Sequence, residues 1–216
     1  MKINPLIKKN LLPLFLVVNI FSCNDNNVEK NTPSAATNKT ESYYLPVPTG
    51  WTKELISFPI DFAPGIPYKG TEDLRFAKGW ADIISDEHWC YAFAWWLDGK
   101  PVIDETTLQQ NLTEYYSGLV KRNVIDKKIP ESKTVPTVAT IKKMVTLRGD
   151  RETYTGIIQL LDYHSETPMV LNCMIHVKSC DTKSHTALLF EISPKPLDHP
   201  VWKQLNGLNE SFNCGN

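Results

Sequence analysis

Apolar and polar positions alternate with period two in seven stretches of the chain, 55–62, 74–80, 89–97, 137–147, 154–163, 169–178 and 187–193, and each predicts a β-strand. Two other stretches repeat with the helical period. In the first, Leu108, Leu112, Tyr115 and Leu119 recur on one face, and Thr106 with Gln109 three residues on reads as a capping box. The second opens at Asp198, His199 and Pro200, with proline in the first turn, and sets Val201, Trp202, Leu205, Leu208 and Phe212 on one stripe.

The last three strands are joined by short polar connections around His164 to Pro168 and Ser179 to Ser184. Connections of that length suit an antiparallel meander, whereas a parallel pair needs a crossover of roughly a dozen residues or more. The expected class is therefore α+β, an antiparallel sheet flanked by helices. The order of strands, a long helix, further strands and a closing helix ending in Asn209, Glu210, Ser211 and Phe212 resembles the PsbP proteins of photosystem II, over roughly residues 50–213. That resemblance is one of pattern and implies a fold only.

Strand alternation sends Trp89, Tyr91, Phe93 and Trp95 to one face and Cys90, Ala92 and Ala94 to the other. One reading has the bulky row filling a core beneath a helix while the small row lets a second layer approach closely. The other makes the row a stacking platform for sugar rings or another planar ligand, with Trp80 and Trp96 at its edge. An unbroken exposed aromatic row would invite aggregation, which favours the first.

The N-terminus carries a different signal. Lys2, Lys8 and Lys9 precede an apolar run over 11–21, a charged region followed by a short hydrophobic one. That run is too short to cross a hydrocarbon core, which takes about 20 helical residues. It ends on Ile20, Phe21, Ser22 and Cys23, which resembles the lipobox of bacterial lipoproteins, with Phe21 where a smaller residue is commoner. The resemblance implies cleavage before Cys23, a diacylglyceryl thioether on its thiol, acylation of its freed amine and attachment to a membrane. Several acyl chains hold far more firmly than one, at about 0.8 kcal/mol for each buried CH2.

The expected organisation is a signal peptide over 1–22, the lipidated Cys23 with a flexible tether over 23–42, and one globular domain over 43–216. The tether is nearly all Asn, Thr, Ser, Ala, Lys and Glu, too little apolar surface to offset its ordering entropy. The chain thus resembles the exported lipoproteins of Bacteroidota, a resemblance that brings no activity with it. It points to the cell envelope, with the outer membrane expected; Asp25 and Glu29 are too few acids to choose a side.

Losing the leader removes three lysines and no acid, so a formal charge of −1 becomes more negative. This argues against nucleic acid as a partner. The expected partners are the membrane, through Cys23, and a protein or small ligand.

Loops carry function more often than core strands, and the Pro- and Gly-rich segment 59–80 nominates Tyr68, Arg75 and Trp80 as ligand-binding residues beside Trp96. Adjacent Glu72 and Asp73 would be splayed apart by a strand. No Gly-rich phosphate loop suggests a cofactor. Cys173, His176, Cys180 and His185 match no zinc module, so no metal is expected.

A hydrolase needs a nucleophile with a base. Ser85 or Ser117 with His88 or His164 supplies the residue types without a recognisable motif, so no catalytic residue is assigned. In an exported chain Cys180 and Cys214 are the expected disulfide, both near the surface, leaving Cys90 and Cys173 as core thiols or a second bridge.

Overall fold

The computed structural model describes residues 43–215. Cys23 and the expected leader and tether lie outside the described residues. The period-two stretches become β1 (Thr52–Ser57), β2 (Gly70–Phe76), β3 (Tyr91–Asp98), β4 (Val138–Lys143), β5 (Glu152–Asp162), β6 (Thr167–Cys180) and β7 (His185–Ser193). The helical stretches become α1 (Glu105–Asp126) and α2 (Val201–Ser211). The strands form one sheet in the order β1-β2-β3-β7-β6-β5-β4, with every pair antiparallel. The domain is α+β, and β5, β6 and β7 form the expected meander. No described helix is long and apolar enough to cross a membrane.

β1 and β2 shift furthest from their predicted limits, and β4 ends four residues early at Lys143. β1 starts earlier and stops before Pro59, which has no N–H to give a ladder. β2 takes Gly70–Phe76 out of what reads as a loop, because Glu72, Leu74 and Phe76 alternate toward one face. The α1 cap also moves. Asp104 accepts from the Thr107 N–H (2.7 Å) and Thr107 Oγ1 accepts from the Asp104 N–H (2.9 Å), so the box lies two residues before the predicted Thr106 and Gln109.

β3 sets the layering. Its bulky row, Tyr91, Phe93 and Trp95, joins Leu108, Leu112, Tyr115 and Tyr116 of α1 in the larger core. Phe93 stacks on Phe190 of β7 (centroids 4.4 Å apart) and on Tyr115 (5.6 Å). The opposite row, Cys90, Ala92 and Ala94, packs with Val201, Trp202, Leu205 and Leu208 of α2 in a second core. The aromatic row is core, as the first of the two readings requires.

Between β1 and β2 the chain forms a strap over 58–69 that runs along one stripe of α1. Its own Ile60, Ala63 and Ile66 are buried. Phe62 meets Tyr115 (5.1 Å), Arg122 donates to Asp61 and lies over the Phe62 ring, and Asn111 donates to Tyr68 Oη (3.0 Å). Gly118 makes this approach possible, since a Cβ there would collide with the Phe62 carbonyl.

Cys180 and Cys214 are joined by a disulfide, with Cα atoms 5.4 Å apart, that ties the end of β6 to the segment after α2. Closing a loop of 34 residues in this way stabilises by about 4 kcal/mol in the chain-entropy picture. Cys180 is buried rather than near the surface, because it ends β6 beneath that segment. Cys90 and Cys173 are free and occupy different cores, which rules out the second bridge.

The two helical glycines behave oppositely on substitution. Gly118→Ala should destabilise by about 2 kcal/mol or more through overpacking, and should expose 58–69 to protease. Gly207→Ala, where a Cβ meets nothing, should stabilise by up to about 1 kcal/mol. Thermal denaturation and limited proteolysis of both variants check the strap assignment.

Candidate functional site

Large rings between α1 and β3 hold the helix off the sheet. Where α1, the strap and the β1–β2 edge diverge, a cleft of about 180 Å³ remains. Ile56 (β1), Leu74 and Phe76 (β2), Tyr91 (β3), Tyr115 and Leu119 (α1) form its walls. Trp80, Trp89 and Tyr163 close one end, and Glu54 and Arg122 are its exposed charged groups. Such a site is apolar and concave, with few polar atoms, as small-molecule sites usually are.

Trp89 is held at φ 54°, a conformation that costs a bulky residue about 1–3 kcal/mol. Two bonds hold it there: its N–H donates to Trp80 O (2.8 Å), and Nε1–H donates to Asp162 Oδ1 (2.8 Å). Asp162 also accepts from His88 Nε2 (2.9 Å), the His164 N–H (2.8 Å) and Ser165 Oγ. Burial alone would raise the Asp162 pKa, but the donors outweigh it and lower it to about 2. The carboxylate therefore only accepts, and the His88 proton sits on Nε2.

This node contains residues of the hydrolase reading without its geometry. Nδ1 of His88 is buried and without a partner. Ser165 gives its proton to Asp162, and Ser85 Oγ accepts from the Glu87 N–H (3.1 Å). Ser117 belongs to α1. Among the described residues no serine meets either ring nitrogen of His88, so no nucleophile is activated there. His164 packs edge-on to Trp80 (5.2 Å), and burial lowers its pKa.

On the same face of β2 as Leu74 and Phe76, Glu72 is 0% exposed and does not itself line the cleft. Its Oε1 accepts from Trp95 Nε1–H (3.1 Å), and its Oε2 has no partner. Burial raises its pKa to about 8, against the opposing pull of Trp95 and Tyr115. The acid is mainly neutral at pH 7.

The strand does splay Glu72 from Asp73. Asp73 lies on the α2 side, where it takes Arg75 Nη2–H (2.9 Å) and the Tyr43 hydroxyl (3.0 Å). Arg75 is 1% exposed and also donates to the carbonyls of Leu45 and Pro46, so it is a buried strut rather than an exposed loop residue. Trp96 is 5% exposed on the same side, stacked on His185 (4.6 Å). Tyr68 lines a wider hollow of about 490 Å³ with Asn111 and Glu114.

Of the four residues nominated from sequence, only Trp80 lines the aromatic cleft. Phe76, Tyr115 and Tyr163, which also line it, went unassigned.

A second buried polar cluster joins the sheet to α2. His176 is hydrogen-bonded through Nδ1 to Asp150 (2.8 Å), and its Nε2 lies 3.2 Å from Glu191 without hydrogen-bond alignment. Asp150 also accepts from Lys178 (2.9 Å) and Thr153 (2.6 Å). Burial would lower the His176 pKa, but the two carboxylates outweigh it and raise it. His176 and Cys180 thus serve separate structural roles, and the described residues form no metal-binding group.

These shifts set the pH profile. Asp162, depressed from 3.8 to about 2, contributes stability above pH 3.8 that is lost as pH falls through 2. His176, raised from 6.5, contributes stability below pH 6.5 that is lost as pH climbs through its folded value. Glu72, raised from 4.5 to about 8, makes the fold progressively less stable between those values. Glu72→Gln should therefore stabilise the protein by a few kcal/mol near pH 8 and hardly at all near pH 4. Chemical denaturation at both pH values measures the difference.

No protein-family model and no curated protein matches the chain.

Proposed function

We propose that this chain is a lipid-anchored envelope protein whose domain binds a small ring-containing ligand in the aromatic cleft and does no chemistry on it. The observation that carries the binding reading is the cleft: aromatic residues far apart in sequence converge there around few polar atoms. A sugar ring fits poorly, because its hydroxyls would lose water without regaining partners. A mostly apolar ring fits better, since a closed apolar cavity of about 150 Å³ suffices for benzene.

The anchor rests on Ile20, Phe21, Ser22 and Cys23 following a basic and then an apolar stretch. The succession of strands, long helix, strands and closing helix supports a PsbP-like reading of the fold. An envelope hydrolase is the second reading, favoured by the unpartnered Nδ1 of His88 beside Asp162.

Two measurements test the proposal. Cys23→Ala should abolish incorporation of labelled palmitate, and equal labelling of variant and wild type would refute the anchor. For the domain, a deletion strain is complemented with the full chain. Trp80→Ala, or Leu119→Trp to fill the cleft, should impair function at retained stability, with ligand binding weakened about tenfold or more. A stable His88→Ala or Ser165→Ala chain with complete loss of function would establish the hydrolase instead.

A further inference from the structure

The connection between β4 and β5 exposes apolar side chains on a backbone that is firmly held. Val145 is 82% exposed and Leu147 39%. The Met144 N–H donates to the Thr153 carbonyl (3.0 Å), the Leu147 N–H to Thr153 Oγ1 (2.9 Å), and the Asp150 N–H closes the turn on the Leu147 carbonyl (3.1 Å). Two apolar residues kept in water by a fixed loop differ from exposed residues scattered singly over a surface. Cations flank them. Lys142, Arg148 and Arg151 are exposed and enter no ion pair among the described residues, whereas Lys143 is on Glu152 (2.8 Å) and Asp150 is taken by His176 and Lys178.

This loop lies where the chain enters the domain. Tyr44 and Asn213 exchange both backbone hydrogen bonds (2.8 and 3.1 Å), and Cys214 is bonded to Cys180 at the end of β6. Arg148 and Gly149 line one hollow of about 410 Å³ with Asn213 and Cys214; Glu210, the acid on its wall, accepts from Asn206 (2.8 Å). The first described residues and the basic loop are therefore neighbours at one end of the sheet. Ile84, 88% exposed between β2 and β3, belongs to the opposite end. The stretch from Cys23 to Tyr43 spans at most about 70 Å when extended, so a lipid on Cys23 keeps this end close to the bilayer. Tethering raises the effective concentration of that surface, and contacts weak in isolation then suffice.

We propose, resting on the lipid anchor, that the 144–151 loop is the surface by which the domain lies on an anionic phospholipid bilayer. Val145 and Leu147 enter the headgroup region, and Lys142, Arg148 and Arg151 meet the lipid phosphates. The chain as a whole is slightly acidic, so the attraction is local to this end and acts within a Debye length of the surface. Phe76, Trp80, Trp89 and Tyr91 of the aromatic cleft belong to the opposite end of the sheet, and the contact holds the cleft clear of the lipid.

The test uses the full chain, processed in cells and reconstituted into vesicles, with an environment-sensitive fluorophore on Val145→Cys or, as control, on Ile84→Cys; Cys90 and Cys173 are buried and escape labelling in the folded protein. In vesicles of phosphatidylethanolamine with phosphatidylglycerol, the probe at 145 should shift to the blue and be quenched by spin-labelled lipid, and the probe at 84 should do neither. Arg148→Gln and Arg151→Gln should each weaken the contact about fivefold, and about 1 M salt should abolish it. A probe at 145 that stays in water on retained chains, or shifts equally in phosphatidylcholine vesicles, would overturn the proposal and leave the anchor standing. Equal shifts at 145 and 84 would overturn it as well. A chain without incorporated palmitate whose 145 probe still shifts on the anionic vesicles would refute the anchor and support the loop, and neither retention nor shift would remove both.

Discussion

The alternation of bulky and small side chains along β3 determines how far each helix stands from the sheet. Ala92 and Ala94 let α2 approach until Leu205 and Leu208 join them in one core with Ala187 and Leu189 of β7. On the reverse face Tyr91, Phe93 and Trp95 keep α1 away, and the gap is filled by rings from α1, the strap and β7. Planar groups of that size leave a wedge at the margin. The cleft is thus a packing consequence of the same strand that builds the core, and its walls inherit the rigidity of the core.

The strap makes that wedge a site rather than an open groove. It is held along a single stripe of α1, from Asn111 through Tyr115 and Gly118 to Arg122, by contacts of several kinds. Glycine at 118 weakens a long helix by about 1 kcal/mol relative to alanine. The loss is offset by the close approach of Phe62, which brings its ring against Tyr115 and under Arg122. The Trp89 backbone, held in the left-handed region by bonds to Trp80 and Asp162, closes the far end in a similar way.

Alternation made the strands legible in the sequence, and the helical stripes were equally clear, because both depend on neighbours within a few residues. The aromatic row could be assigned to the core for the same reason. The cleft could not be read, since its walls run from Ile56 to Tyr163 and meet only through the order of the sheet. Arg75 shows the complementary difficulty. A charged residue after a Gly-rich turn suggests exposure, yet Asp73 two positions earlier shares its strand face and makes burial tolerable. Trp96 continues the small row of β3 rather than the bulky one, and so turns toward α2.

Burial of ionisable groups separates structural from functional pressure in this domain. On the α2 side Asp73 has Arg75 and Tyr43, and Asp150 has His176, Lys178 and Thr153; behind Trp89, Asp162 has four donors. Each of those carboxylates is compensated by cations or hydrogen-bond donors. Glu72 has the Trp95 indole N–H and the Tyr115 hydroxyl but no cation, so the sheet keeps it neutral at the expense of stability above pH 4.5. Leucine at that position would satisfy packing, and a paired acid would satisfy electrostatics; the residue present does neither. A carboxyl held uncharged by its surroundings is a weak strut, and it makes the stability of the sheet depend on pH in a range where Asp162, already ionised, no longer titrates.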